Sequence, residues 1–145
     1  GLWRTGFDVD DCDDREFHPA ASMGFGHTHL FFGCRRREHD YLYGSELEAL
    51  QADGTLSRLH VAFSRQFASK VYVQHHLRAH GKHVASILLH EGGRVYVCGD
   101  GQSMARDVHA ALADVLQEHG PMTAAAAQAV LKDLADRHRY VRDIW

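Results

Sequence analysis

The chain has 145 residues, 45% of them hydrophobic, and a formal net charge of -3, which suits one ordinary domain or a piece of a larger protein and leaves no basic footprint for nucleic acid. Cys12, Cys34 and Cys98 are odd in number and form no CxxC pair, which argues against a disulfide framework or a thiolate zinc site and for a reducing compartment. No apolar run approaches the ~20 residues of a membrane span and no signal-peptide order opens the chain, so the expected location is the cytoplasmic side, soluble or anchored through a segment outside this chain.

Residues 1–29 carry an acidic stretch from Asp8 to Glu16, then Gly, Ser and His without a sustained period, and read as an irregular segment. The run Asp8 to Asp14 does not make a calcium loop: Cys12 stands where an oxygen ligand is needed and Asp13 where glycine is needed. From Leu30 to the end, strands and helices alternate, predicting an α/β domain over residues 30–145 with an open parallel sheet and helices on both faces. Strands are expected at Leu30–Gly33, Arg58–Phe63 and Arg94–Cys98. Tyr41–Ala52 reads as a helix stopped by Gly54, and Lys70–His80 as another that resumes over Lys82–His90 until Gly92-Gly93. Met104, Val108, Ala111, Leu112, Val115 and Leu116 recur at helical spacing within Ser103–His119. Gly120-Pro121 ends that helix, Thr123 caps the last one, and the chain closes on Tyr140 to Trp145.

The densest chemistry follows the strand Arg58–Phe63. In it Leu59, Val61 and Phe63 alternate with His60 and Ala62, and the polar residues Ser64, Arg65, Lys70, Tyr72 and Gln74 begin where it stops. Ligands of open α/β sheets sit beyond the carboxyl ends of strands. A hydroxyl, a planar guanidinium, an ammonium and an aromatic ring suit a 2'-phosphoadenosine, the adenosine half of NADP(H). Singly, Ser64 is as well explained as a helix cap, Arg65 and Lys70 as solvated charges and Tyr72 as core; together they favour the nucleotide. Cys98 ends a strand ahead of Gly99-Asp100-Gly101, where it is either a small buried hydrophobe or a group facing the ligand crevice. Trp145 either tucks into a groove or stacks on a flat ring. His76, His80 and His83 share a helical face, but with 13 histidines in the chain such coincidences are expected, and no metal is assigned.

Phe32 to Arg36, Asp40 to Tyr43, Val61 to Arg65, Lys70 to Gln74, Val95 to Asp100, Met104 to Val108 and Asp143 to Trp145 occur in the same order as in the diflavin reductases. Residues 30–145 resemble the C-terminal NADP(H)-binding part of that family, a ferredoxin-reductase-type module. Lys70 to Gln74 is most similar to the microsomal NADPH-cytochrome reductases, and Leu30 to Cys34 with the Asp143-Ile144-Trp145 end to the methionine synthase reductases. The resemblance implies that Ser64, Arg65, Lys70 and Tyr72 hold the 2'-phosphate and adenine, with Val71, Val73 and Gln74 in the same segment. It implies that Arg35 lies near the pyrophosphate and that Asp100 and Asp107 belong to the nucleotide site, although a helical aspartate near an N-terminus also compensates the dipole. It further implies that Cys98 and Asp143 lie beside the nicotinamide and that Trp145 shields the FAD ring. FAD itself would be held mostly outside this chain and FMN elsewhere in the parent protein, whose partners would be NADPH, the flavin domain and a redox acceptor, a cytochrome or a cobalamin enzyme.

One departure bears on function. The family opens this module with a central strand and a glycine-rich pyrophosphate loop, and Gly1 to His29 holds neither a GxGxxG nor a Gly-Thr-Gly run. Leu2 to Val9 replaces that strand, or the domain is incomplete, divergent or dependent on a partner. The sequence therefore supports two functions: an NADPH-dependent flavoprotein oxidoreductase module, inactive by itself, or a truncated non-catalytic domain that binds nucleotide or a protein.

Overall fold

Parallel pairing dominates the backbone of the computed structural model, which describes residues 26–145. Strand β1 (His29–Cys34) leads through the short helices α1 (Arg37–Asp40) and α2 (Gly44–Ala52) to β2 (Arg58–Phe63), which pairs parallel with β1. After α3 (Val73–Ala79) and α4 (Gly81–Leu89), β3 (Val95–Gly99) leads through α5 (Gln102–His119) and α6 (Ala124–Asp136) to β4 (Tyr140–Ile144), parallel to β3. Each pair is thus a strand, a helical crossover and a second parallel strand, the connection that α/β domains repeat.

The expected single open sheet is divided into two two-stranded sheets, β1-β2 and β3-β4. Among the described residues no strand joins β1 to β3, which is where the sequence departs from the resembling family. Leu2 to Val9, the segment weighed as a substitute, lies outside the described residues, as does the acidic run before Glu16. Helices bridge the division instead: α3 packs on β1 and β2 and against α5, which in turn packs on β3, β4, α4 and α6. Leu112, Val115 and Leu116 of α5 and Leu131 of α6 are the largest fully buried side chains, so the core is centred on α5. Its spacing matches the expected apolar face, with Met104 at the margin. Thr123 caps α6 as expected, its hydroxyl accepting from the Ala126 amide at 3.2 Å.

Several boundaries shift for local reasons. The predicted helix Tyr41–Ala52 starts only at Gly44, because Tyr43 takes a left-handed φ of 61° that no helix continues through. The helix predicted from Lys70 begins at Val73; Tyr72 is extended at φ -121°, ψ 164°, so Lys70 and Tyr72 belong to a loop. Gly81 turns the chain from α3 into α4 at a close approach to α5, where a Cβ would stand 2.8 Å from the His119 ring. In β2 the tightly packed face is His60 and Ala62, while Leu59, Val61 and Phe63 are half-buried, the reverse of the apolar alternation. The closing residues Tyr140 to Ile144 form a strand that the sequence did not announce. Arg139 anchors its entry, donating to the Leu88 carbonyl at 2.8 Å and the Gly93 carbonyl at 3.0 Å.

Candidate functional site

Beyond their last paired residues, β1 and β2 stay connected. The Ser64 amide donates to the Cys34 carbonyl and the Arg65 amide to the Arg35 carbonyl, both at 2.9 Å, and the Arg37 amide donates to the Gln66 side chain at 3.0 Å. Arg35 and Arg65 therefore leave adjacent chains at the same level, both exposed. The segment then loops to α3, with Lys70 exposed, Tyr72 40% exposed, and Val71, Val73 and Gln74 half-buried. Tyr72 is held by its backbone, its amide donating to Nδ1 of His75 at 2.9 Å. Two of the plainer readings are corrected here. Ser64 is remote from the start of α3 and does not cap it, and Tyr72 is not core because its ring projects from the loop. Neither Arg65 nor Lys70 makes an ion pair with the described residues, so both cations remain available to an anion.

A second group gathers at the ends of β3 and β4. Cys98 and Asp143 are direct cross-strand partners, followed by Gly99 and Ile144. The Trp145 amide then donates to the Gly99 carbonyl at 3.3 Å and the Gly101 amide donates to the Trp145 carbonyl at 3.0 Å. This clasp fixes the terminal backbone while the indole remains 70% exposed. Cys98 is exposed too, so neither the buried-hydrophobe reading of Cys98 nor the tucked reading of Trp145 holds. Pleating explains it: Tyr96, 67% exposed, and Cys98 share the open face, while Val97 points into the core. Asp100 is exposed in the turn before α5, and Asp107 is exposed on the second turn of that helix, past the first turn where dipole compensation is strongest.

A third group was visible to sequence reasoning only in its helical half, His76 and His80, with His60 missed. His60 on β2 meets His76 and His80 of the α3 segment, with ligand-capable atoms all within 4.8 Å of one another. His83, grouped with them by helical spacing, instead faces His29, with ring centroids 6.5 Å apart. The signal that could have found His60 is a polar residue in phase with Ala62 on the inner face of a strand. Burial, then the neighbouring His80, His29, His76 and Arg58, lowers the His60 pKa to about 3; burial, then His83, Arg58, His80 and His27, lowers that of His29 to about 4. His76 and His80 are lowered chiefly by burial as well.

These shifts set a pH dependence. The folded histidines stay neutral while the unfolded chain takes up protons below about pH 6.5, so stability present above that pH is lost as the pH falls toward the folded values. In a chelating buffer the urea midpoint should decline steadily from pH 6.5 to 5, above most of the carboxylate range. Each group contributes up to ~1.4 kcal/mol per pH unit. A midpoint that stays flat across that window would contradict the buried, neutral arrangement.

Parallel crossovers with polar residues collected past the strand ends are the arrangement in which open α/β domains bind their ligands. The chain belongs to the oxidoreductase NAD-binding domain family, which it matches over residues 15–110. It is 51% identical over 121 residues to NADPH-cytochrome P450 reductase of Oryctolagus cuniculus, covering 83% of this chain and 18% of that protein. It is 45% identical over 120 residues to the Homo sapiens reductase of the same name. Methionine synthase reductase of Bos taurus is 42% identical over 137 residues, covering 90% of this chain and 19% of that protein. The chain thus spans less than a fifth of the length of these relatives. No helix of the described residues is long and apolar enough to cross a membrane.

Proposed function

We propose that the chain is the NADP(H)-binding module of a diflavin reductase, docking NADPH for hydride transfer to FAD and onward electron transfer through FMN to a protein acceptor. The observation that carries this reading is the pairing of Cys98 with Asp143 directly beside the Trp145 clasp. A thiol, a carboxylate and an indole exposed at one sheet end suit the edge of a flat redox ring. The exit of β2 fits the other end of the cofactor, with Arg65 and Lys70 uncommitted and Ser64 and Tyr72 offering hydroxyls to the 2'-phosphate. Arg35, level with Arg65, suits the pyrophosphate. Val71, Val73 and Gln74 line the adenosine segment, and Asp100 and Asp107 complete the nucleotide site.

NADPH supplies a hydride when bound, and hydride transfer requires donor and acceptor atoms ~3–3.5 Å apart. Cys98 and Asp143 do not form bonds in this account. They orient the nicotinamide edge, with the carboxylate placed to favour the positive charge that develops as hydride leaves. Trp145, its ring exposed on a fixed backbone, would cover the flavin face when FAD is bound and would swing aside to admit the nicotinamide. The proposed acceptor is a cytochrome or a cobalamin enzyme, a reading that the relatives' names, cytochrome P450 reductase and methionine synthase reductase, support. The test supplies the flavin domain of such a reductase in trans and follows NADPH-dependent flavin reduction by stopped flow. Cys98→Ala should slow reduction by at least about tenfold and leave 2',5'-ADP affinity within twofold. If rate and affinity fall together, the substitution acts on the module as a whole and not at the nicotinamide edge; if the parent chain supports no reduction at all, the non-catalytic reading stands.

A further inference from the structure

We propose that His60, His76 and His80 form a binding site for a divalent transition-metal ion of zinc type, which fastens β2 to α3. The inference is independent of the nucleotide reading, because none of the three side chains belongs to the groups assigned to the cofactor.

Geometry is the first argument. The candidate ligand atoms lie within 4.8 Å of one another, and tetrahedral zinc with Zn–N bonds of ~2.0–2.1 Å needs nitrogens about 3.3 Å apart, so modest rotations of the imidazoles close the site. His76 and His80 are four residues apart, the spacing that places two ligands over one another on a helical face, with His80 at the C-cap of α3. His60 approaches from the inner face of β2, 7% exposed, its ring centroid 4.2 Å from that of His80 and 6.2 Å from that of His76.

Chemistry is the second. An apolar side chain would fill the space between β2 and α3 more simply, since buried polar rings are costly unless matched by partners. Here three converge, and their surroundings keep them in the neutral form that a metal requires. Orientation comes from a further ring and from the backbone: Nδ1 of His29 lies 3.3 Å from Nε2 of His60, and a backbone hydrogen bond links Val61 to His76. Such outer contacts fix tautomers and ring planes in metal sites. An all-imidazole set selects zinc, copper, nickel or cobalt over magnesium and calcium, with solvent reaching the remaining position from the half-buried His80 side. Arg58 is the nearby cation that opposes a dication.

The consequence is mechanical. β2 and α3 are the two ends from which the loop 64–72 is strung, so an ion joining them restrains that loop without touching it.

The test uses the full 145-residue chain. Zinc titrated by calorimetry should bind with one-to-one stoichiometry, and cobalt should give the visible absorption of a tetrahedral nitrogen-rich site. Zinc should also raise the melting temperature and slow amide exchange across 64–72. The His76→Gln, His80→Gln double variant should weaken zinc binding by at least about tenfold and abolish the cobalt bands. The same double change at the exposed His39 and His138 should alter neither, and circular dichroism without metal establishes that each variant is folded. His60→Asn provides an independent readout from the strand side. Failure of the parent chain to take up zinc or cobalt stoichiometrically overturns the proposal, as does uptake that survives both the double variant and His60→Asn.

Discussion

Replacing Arg65 and Lys70 together with alanine is expected to weaken 2',5'-ADP binding by about two orders of magnitude while leaving the fold intact. A hydrogen bond to a charged group contributes ~1.5–3 kcal/mol, and each ~1.4 kcal/mol is tenfold in affinity. Two such contacts therefore span roughly 10²- to 10⁴-fold, and the exposure of both side chains places the effect at the lower end, because water screens them. Neither side chain forms an ion pair with a described residue, so the unfolding free energy should change by no more than ~0.5 kcal/mol. The ligand is read by retention on immobilised 2',5'-ADP, and the fold by thermal melting. A double variant retained as firmly as the parent would place the phosphate elsewhere.

The largest effect on stability is expected at Leu112. Its side chain is 0% exposed on α5, the helix that touches α3, α4, α6, β3 and β4 and so links the two separate strand pairs. Leu→Ala at such a site removes transfer energy and leaves a cavity, together ~2–5 kcal/mol, against a total of ~5–15 kcal/mol for a domain. At roughly 2–8 °C per kcal/mol, the melting temperature should fall by on the order of 10 °C. Both strand pairs should lose protection from amide exchange together, since α5 packs on β3 and β4 directly and supports β1 and β2 through α3. A loss below ~1 kcal/mol, or exchange confined to one pair, would show that the pairs are held by something other than α5.

What the residues announced, and what they concealed, follows from how local each signal is. The α5 face was legible because an amphipathic stripe is written at fixed spacing within one helix. The strand Arg58–Phe63 was legible from its turn-bounded apolar content. Its facing was not: His60 proved to be core and Val61 marginal, because the partner surface of α3 decides which side of the pleat is packed. β4 escaped notice because Val141, Arg142 and Asp143 are all exposed, with no apolar alternation, and the strand is defined by its pairing with β3. The same pairing sets Cys98 opposite Asp143, a juxtaposition of residues 45 positions apart in the sequence that family resemblance suggested and periodicity could not. Of the metal candidate the helical spacing of His76 and His80 was legible but the strand ligand His60 was not, since strand and helix meet only in the folded chain.

The central claim is that the exit of β2 grips a phosphate on the 2' position of adenosine ribose. Calorimetric titration of the chain with 2',5'-ADP and, separately, with 5'-ADP tests it most directly, because the two ligands differ at that phosphate. A preference of at least about 10²-fold for 2',5'-ADP is predicted; equal affinity for the two nucleotides would contradict the account.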